Sequence, residues 1–192
     1  MRKIPTLYVR DETDRSKVTD TVTPGCEWVL AGEGVPTRKY DGTCVMLDDA
    51  GGRWWARREV KPGKSAPPEF YVVQVDDVTG KTVGWEPIEQ SGYAKFHAEA
   101  LAAREASDDG PCAYWPTGTY ELCGPRIGSS RAPSIERLAP HHWLQLQDAA
   151  ELWAPCGSPV EAVRSAAEFG LEGLVWHHPD GRMAKLKARD LR

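Results

Sequence analysis

Among the 24 lysines and arginines of this 192-residue chain, one lysine stands where an amine could do chemistry. Lys39 leaves the strand-like run Thr37-Arg38-Lys39 and meets the turn-forming pair Asp41-Gly42 two residues on. A lysine amine, with a reference pKa near ~10.4, is protonated and inert at neutral pH. It attacks only where desolvation or neighbouring positive charge, from other lysines or a metal ion, favours its neutral form. Taken alone, Lys-x-Asp-Gly is also the mark of a hairpin with a solvated lysine. Its company gives it weight. Downstream come Trp55-Ala56-Arg57, then Tyr120-Glu121-Leu122-Cys123-Gly124, Glu172-Gly173-Leu174-Val175, and Lys185-Leu186-Lys187. Lys185 and Lys187 alternate on one strand, so both ammonium groups project from the same face. Structural alternatives stand beside each residue: Glu121 and Glu172 as solvated strand residues, the two lysines as the polar side of an edge strand, Trp143 as core. The pairs His141-His142 and His177-His178 cannot chelate side by side, because neighbours on a strand point to opposite faces.

In this order and spacing the chain resembles the covalent nucleotidyltransferases, which are ATP-dependent DNA ligases, RNA ligases and mRNA capping enzymes. Their motifs run K-x-D-G, an arginine some way downstream, an E-x-x-G-type strand, an E-G-hydrophobic-V strand and K-x-K. The resemblance spans Lys39 to Lys187. It is nearest to a small 5′-3′ RNA ligase type also found in vertebrates. KYDGTC has no arginine at Cys44, where DNA ligases carry K-x-D-G-x-R, and both ELCGPRIGSSRAP and EGLVWHHPDGRMAKLKARDL are similar to segments of that type.

That resemblance implies a mechanism. Lys39 would be the nucleophile on the α-phosphorus of ATP, with pyrophosphate leaving in line. Lys185 and Lys187 would bind the α-phosphate, Glu121 a ribose hydroxyl and Arg57 the ribose or phosphate side. Trp143 would be the platform for the base. Glu172, with Asp41, would place Mg²⁺ or Mn²⁺, since hard cations take carboxylate and water oxygens. The AMP would then pass to an RNA 5′-phosphate, and a 3′-hydroxyl would close the bond. Three other readings stay open: a DNA ligase or broad nucleic-acid end-joiner, a GTP-using capping-type guanylyltransferase, and a non-catalytic nucleotide or RNA sensor. Only five residues follow Lys187, so the oligonucleotide-binding domain common in DNA ligases and capping enzymes is not expected, and an accessory protein could supply strand grip.

Such residues need strands to hold them in register. Short runs bounded by glycine and proline predict strands at Thr6–Val9, Trp28–Ala31, Thr43–Leu47, Arg53–Arg57, Phe70–Val75, Gly118–Leu122, Trp143–Gln147 and Gly173–Trp176. Asp180-Gly181 predicts a tight hairpin between VWHH and RMAKL. Helices are predicted over Tyr93–Ala106 and Ser158–Phe169, the second with a Ser158 cap, Pro159 in the first turn, a Glu161 capping box and a Gly170 stop. Strands and helices mixed without a βαβ rhythm indicate an α+β fold with antiparallel sheets. The family fold implied is two packed antiparallel sheets with flanking helices, expected here as a single domain over residues 1–192.

Composition bounds the rest. Apolar residues are 41% and charged residues 27%, as in ordinary globular chains. No run approaches the length of a membrane span, and the start, MRKIPTLYVRDETDR, turns polar at once, so a soluble cytoplasmic protein is expected. Five cysteines without a CxxC pair point to reduced thiols. A net charge of −4 argues against a general nucleic-acid binder. Locally, however, RWWARREVKPGK (residues 53–64) sets five basic residues against one acidic, with Trp54 and Trp55 between them, and RMAKLKARDLR is basic too. Both patches suit RNA phosphates, although on a strand only one of the two tryptophans can be available for a base.

Overall fold

The computed structural model describes residues 3–50, 52–77, 79–105, 115–128, 137–140 and 157–192. Its strands are β1 (Tyr8–Arg10), β2 (Val18–Val22), β3 (Val35–Lys39), β4 (Thr43–Leu47), β5 (Trp54–Val60) and β6 (Tyr71–Val75). They continue as β7 (Thr82–Pro87), β8 (Gly118–Cys123), β9 (Arg137–Pro140), β10 (Gly173–His177) and β11 (Met183–Lys187). The helices are α1 (Glu27–Leu30), α2 (Ala94–Glu105) and α3 (Pro159–Glu168). Among the described residues these named strands pair antiparallel throughout, as the absence of a βαβ rhythm led one to expect. The chain is a mixed α/β fold with antiparallel sheets and flanking helices. Among the described residues no helix is long and apolar enough to cross a membrane.

The chain forms two compact units, one of Ile4–Tyr40 with His142–Arg192, the other of Met1–Lys3 with Asp41–His141. The first holds a three-stranded sheet in the order β11-β10-β3 and the β1-β2 hairpin. Residues 5–7 run parallel beside β11, with Leu7 N–H donating to Lys185 O at 2.8 Å and Lys185 N–H to Pro5 O at 3.0 Å. On the back of this sheet Leu174, Trp176, Ala184 and Leu186 are buried against Ala162, Val163 and Ala166 of α3. Those three alanine and valine positions, with Pro159, recur at one helical face, which is why this segment folds as an amphipathic helix. Its start follows the predicted cap: Ser158 Oγ accepts from Glu161 N–H at 3.2 Å, while the Glu161 carboxylate accepts from Gly157 N–H at 3.0 Å rather than from Ser158 itself.

The second unit holds a six-stranded sheet in the order β6-β7-β5-β4-β8-β9. One face carries Val45, Ala56, Tyr120 and Leu122, which pack with Ile88 and with Ala100 of α2. Trp54 belongs to this face and meets His97 edgewise at a ring distance of 4.6 Å and Tyr120 at a tilt at 5.1 Å. Trp55 alternates to the other face, where its indole donates to Asp48 Oδ2 at 2.8 Å.

One local expectation changes. Trp28–Ala31, predicted as a strand, is helix α1: a single helical turn buries both Trp28 and Val29, and the Trp28 indole donates to Gly25 O at 3.0 Å. An apolar run this short has no period to tell strand from helix. Asp41-Gly42 does not close a hairpin; it links β3 of one sheet to β4 of another. Asp180-Gly181 does lie in the β10–β11 hairpin, with Gly181 at φ +88 and His178 N–H donating to Arg182 O at 2.9 Å. The predicted strand Trp143–Gln147 lies outside the described residues.

Candidate active site

In the three-stranded sheet, register decides which side chains share a face. Gly173 on the central strand β10 stands opposite Lys187 of β11 on one side and Lys39 of β3 on the other. One pair further along, Val175 stands opposite Lys185 and Thr37. Directly opposed residues of an antiparallel pair point to the same side, so Lys39, Lys185 and Lys187 share the face away from α3. The middle of this row has room for no side chain: a Cβ on Gly173 would lie 2.1 Å from Leu186 O and 2.7 Å from Lys187 Cα.

Glu172, one residue before Gly173, fills the gap from its edge. Its Oε2 accepts from Lys39 Nζ at 2.6 Å and its Oε1 from Lys187 Nζ at 2.5 Å. Arg189 Nη2 lies 3.7 Å from the same Oε1. The glutamate side chain is 7% exposed and the two lysine side chains 17% and 16%, so solvent screens these pairs little. Burial by itself pushes the Glu172 carboxyl up. The Lys39 and Lys187 ammonium groups outweigh that and hold it below the ordinary carboxylate value. It is therefore an ionised, weakly basic group, better suited to holding cations in place than to taking a proton. Lys39 Nζ also donates to Tyr40 O at 3.3 Å.

A second row crosses the six-stranded sheet. Cys44 of β4 stands opposite Glu121 of β8, and the β4–β5 register that pairs Val45 with Ala56 sets Arg57 on its other flank. Arg57, Cys44 and Glu121 thus share one face, opposite the core, although they come from three separate stretches of sequence. Burial pushes the Cys44 thiol up to about 12; Glu121 adds to the push and Arg57 opposes it. Cys44 is consequently a neutral spacer and not a nucleophile. Gly42 is forced by close approach, since a Cβ there would lie 2.4 Å from Leu122 O. Gly128, at φ +84, closes on the Asp41 backbone in the same way.

The residues singled out from sequence thus fall into two rows, Lys39, Glu172, Lys185 and Lys187 in one unit, Arg57 and Glu121 in the other with Asp41. Trp143 and the pair His141-His142 lie outside the described residues. His177 and His178 diverge as expected of strand neighbours: His177 Nε2 meets Thr37 Oγ1 at 3.1 Å, and His178 lies between Glu33 and Asp180. Sequence reasoning missed Arg189, Cys44 and the role of Gly173. Only Arg189 carried a signal, a further cation two places beyond Lys187. Among the described residues no three His, Cys, Asp or Glu side chains cluster as a metal cage. Glu172, ionised and with spare lone pairs on both oxygens, is the kind of single carboxylate that Mg²⁺ uses together with waters and phosphates. Compared with known protein-family models and with curated proteins, the chain matches none.

Proposed function

We propose that this chain is the adenylylating part of an ATP-dependent RNA ligase that acts in the cytoplasm on RNA 5′-phosphate and 3′-hydroxyl ends. One observation carries the reading: Lys39, Glu172 and Lys187, from three motifs spread over most of the sequence, meet at 2.6 and 2.5 Å on one sheet face. A solvated hairpin lysine has no reason to share a buried carboxylate with a second lysine 148 positions away (187 − 39).

In this reading Lys39 first gives up its ammonium proton to water and then attacks the α-phosphorus of ATP through its amine. A P–N bond forms, the bond to the pyrophosphate oxygen breaks, and the amine proton leaves to water. Glu172 keeps Lys39 and Lys187 aligned, and Lys187, with Lys185, meets the negative charge of the phosphoryl group as it is transferred. Mg²⁺ or Mn²⁺ would be held by Glu172 with waters, and when bound would neutralise phosphate charge; Asp41 is assigned to the metal by the resemblance alone. Glu121 is assigned to a ribose hydroxyl, Arg57 to the ribose or phosphate side and Trp143 to the base, on the strength of the resemblance. The finer fold expectation, an adenylyltransferase with its two sheets packed about the nucleotide, belongs to the same proposal.

Incubation with radiolabelled ATP or GTP and a divalent cation, followed by a denaturing gel, tests it. A covalent label from ATP is expected, lost in Lys39→Ala and on chelation with EDTA. Label from GTP instead selects a guanylyltransferase, and label from neither selects a sensor.

A further inference from the structure

Residues 188–192 are tied down by more charged contacts than a surface turn needs. The 3-10 turn Ala188–Asp190 begins directly after Lys187. Ala188 N–H donates to Glu172 O at 2.9 Å, fastening the near end of the turn to the residue that holds Lys39 and Lys187. At the far end Asp190, only 3% exposed, accepts from Arg10 Nη2 at 2.9 Å. Lys17 Nζ donates to the carbonyls of Arg189 at 3.0 Å and Leu191 at 2.9 Å. Arg192 pairs with Asp11, whose carboxylate is itself fixed by Thr13 N–H at 2.8 Å. Most grips at this end come from residues 10–17, at the end of β1 and just after it, and Arg164 of α3 adds one by donating to Arg192 O at 3.3 Å.

A buried ion pair seldom adds net stability over apolar packing of the same volume, because desolvation offsets the attraction. What it supplies is a fixed position. Lysine has four rotatable carbon bonds, so the place of its ammonium group depends on how firmly the backbone beneath it is held. We propose that Asp190, clamped by Arg10 and seconded by Lys17, is a positioning residue that acts through Lys187, holding its ammonium group on Glu172 and so in register with Lys39. The inference rests on the reading of Lys39 as the group that accepts AMP.

Two readouts separate the inference from that reading. Competitive acylation with acetic anhydride, followed by mass spectrometry, reports how exposed each amine is, with Lys95 (74% exposed side chain) as internal reference. Asp190→Ala should raise Lys187 acylation several-fold relative to Lys95. Lys17→Met, on the more exposed side of the clamp, should raise it less. In the gel assay Asp190→Ala should slow AMP capture at saturating ATP by ~10- to 100-fold, the cost of a small misplacement at a reacting centre. The double variant with Lys187→Ala should be no slower than Lys187→Ala alone, because both changes remove one function. Unaltered Lys187 acylation in both single variants overturns the inference, as do additive rate losses in the double variant. Should the unmodified chain take no label from ATP, the Lys39 reading falls, and acylation alone then decides whether Asp190 positions Lys187.

Discussion

Glu172 places one carboxylate against two ammonium groups where little water reaches any of them. Removing the charge and keeping the shape, with Glu172→Gln, leaves two buried cations facing each other. The expected loss is about 3–5 kcal/mol of stability, measurable by urea unfolding, and adding Lys187→Met should return part of it. Acid works through the same group. Its folded-state pKa lies below the unfolded value of 4.5, so its contribution is complete above 4.5 and is lost as pH falls through the lower folded value. Lys39, Glu172 and Lys187 were legible as a set because their motifs come in a recognisable order. The direct pairing was not: the resemblance implied a phosphate for Lys187 and a metal ion for Glu172, and neither role says that the two side chains meet.

Strands bring those residues together, and glycine lets the strands approach. At Gly173 the nearest atoms to an added Cβ are backbone, which no rotamer change can move aside. Gly173→Ala should therefore prise β10 from β11, cost about 1–3 kcal/mol and cut the proposed AMP capture along with stability. Ser158→Ala is the contrast. It removes the cap of α3 at a cost of about 1 kcal/mol, read as a lowered unfolding midpoint, and leaves AMP capture unchanged. The capping sequence of α3 was plain because Ser, Pro, Glu and Gly each carry a separate local signal. β2 and β7 were not foreseen. VTDTV is mostly polar, and TVGWEP contains a glycine, a proline and the buried Glu86, so neither shows the apolar alternation of a strand. Helix α1 went unrecognised for the opposite reason, since four apolar-rich residues fit either structure.

At the scale of the whole chain, the two units answer to different pH windows. His97, 4% exposed among Trp54 and the α2 core, has no hydrogen-bond partner for Nε2 among the described residues. Burial lowers its pKa from 6.5 to about 4, with Glu89 opposing. Between those values the unfolded chain binds a proton that the folded one refuses. The six-stranded unit should therefore lose about 1.4 kcal/mol per pH unit below 6.5, well before Glu172 titrates in the other unit. Urea unfolding at pH 7 and pH 5 should reveal the difference, and His97→Phe should flatten it. Fold class was readable from the punctuation of the sequence; the division into two units was not, because each is assembled from stretches far apart in the chain. The glycine at 173, crowded by the strand bearing Lys187 and paired with the strand bearing Lys39, also ties three sites into one evolutionary character. Substitution at any one removes the reason to keep the other two, so across lineages the trio should be inherited intact or erode together.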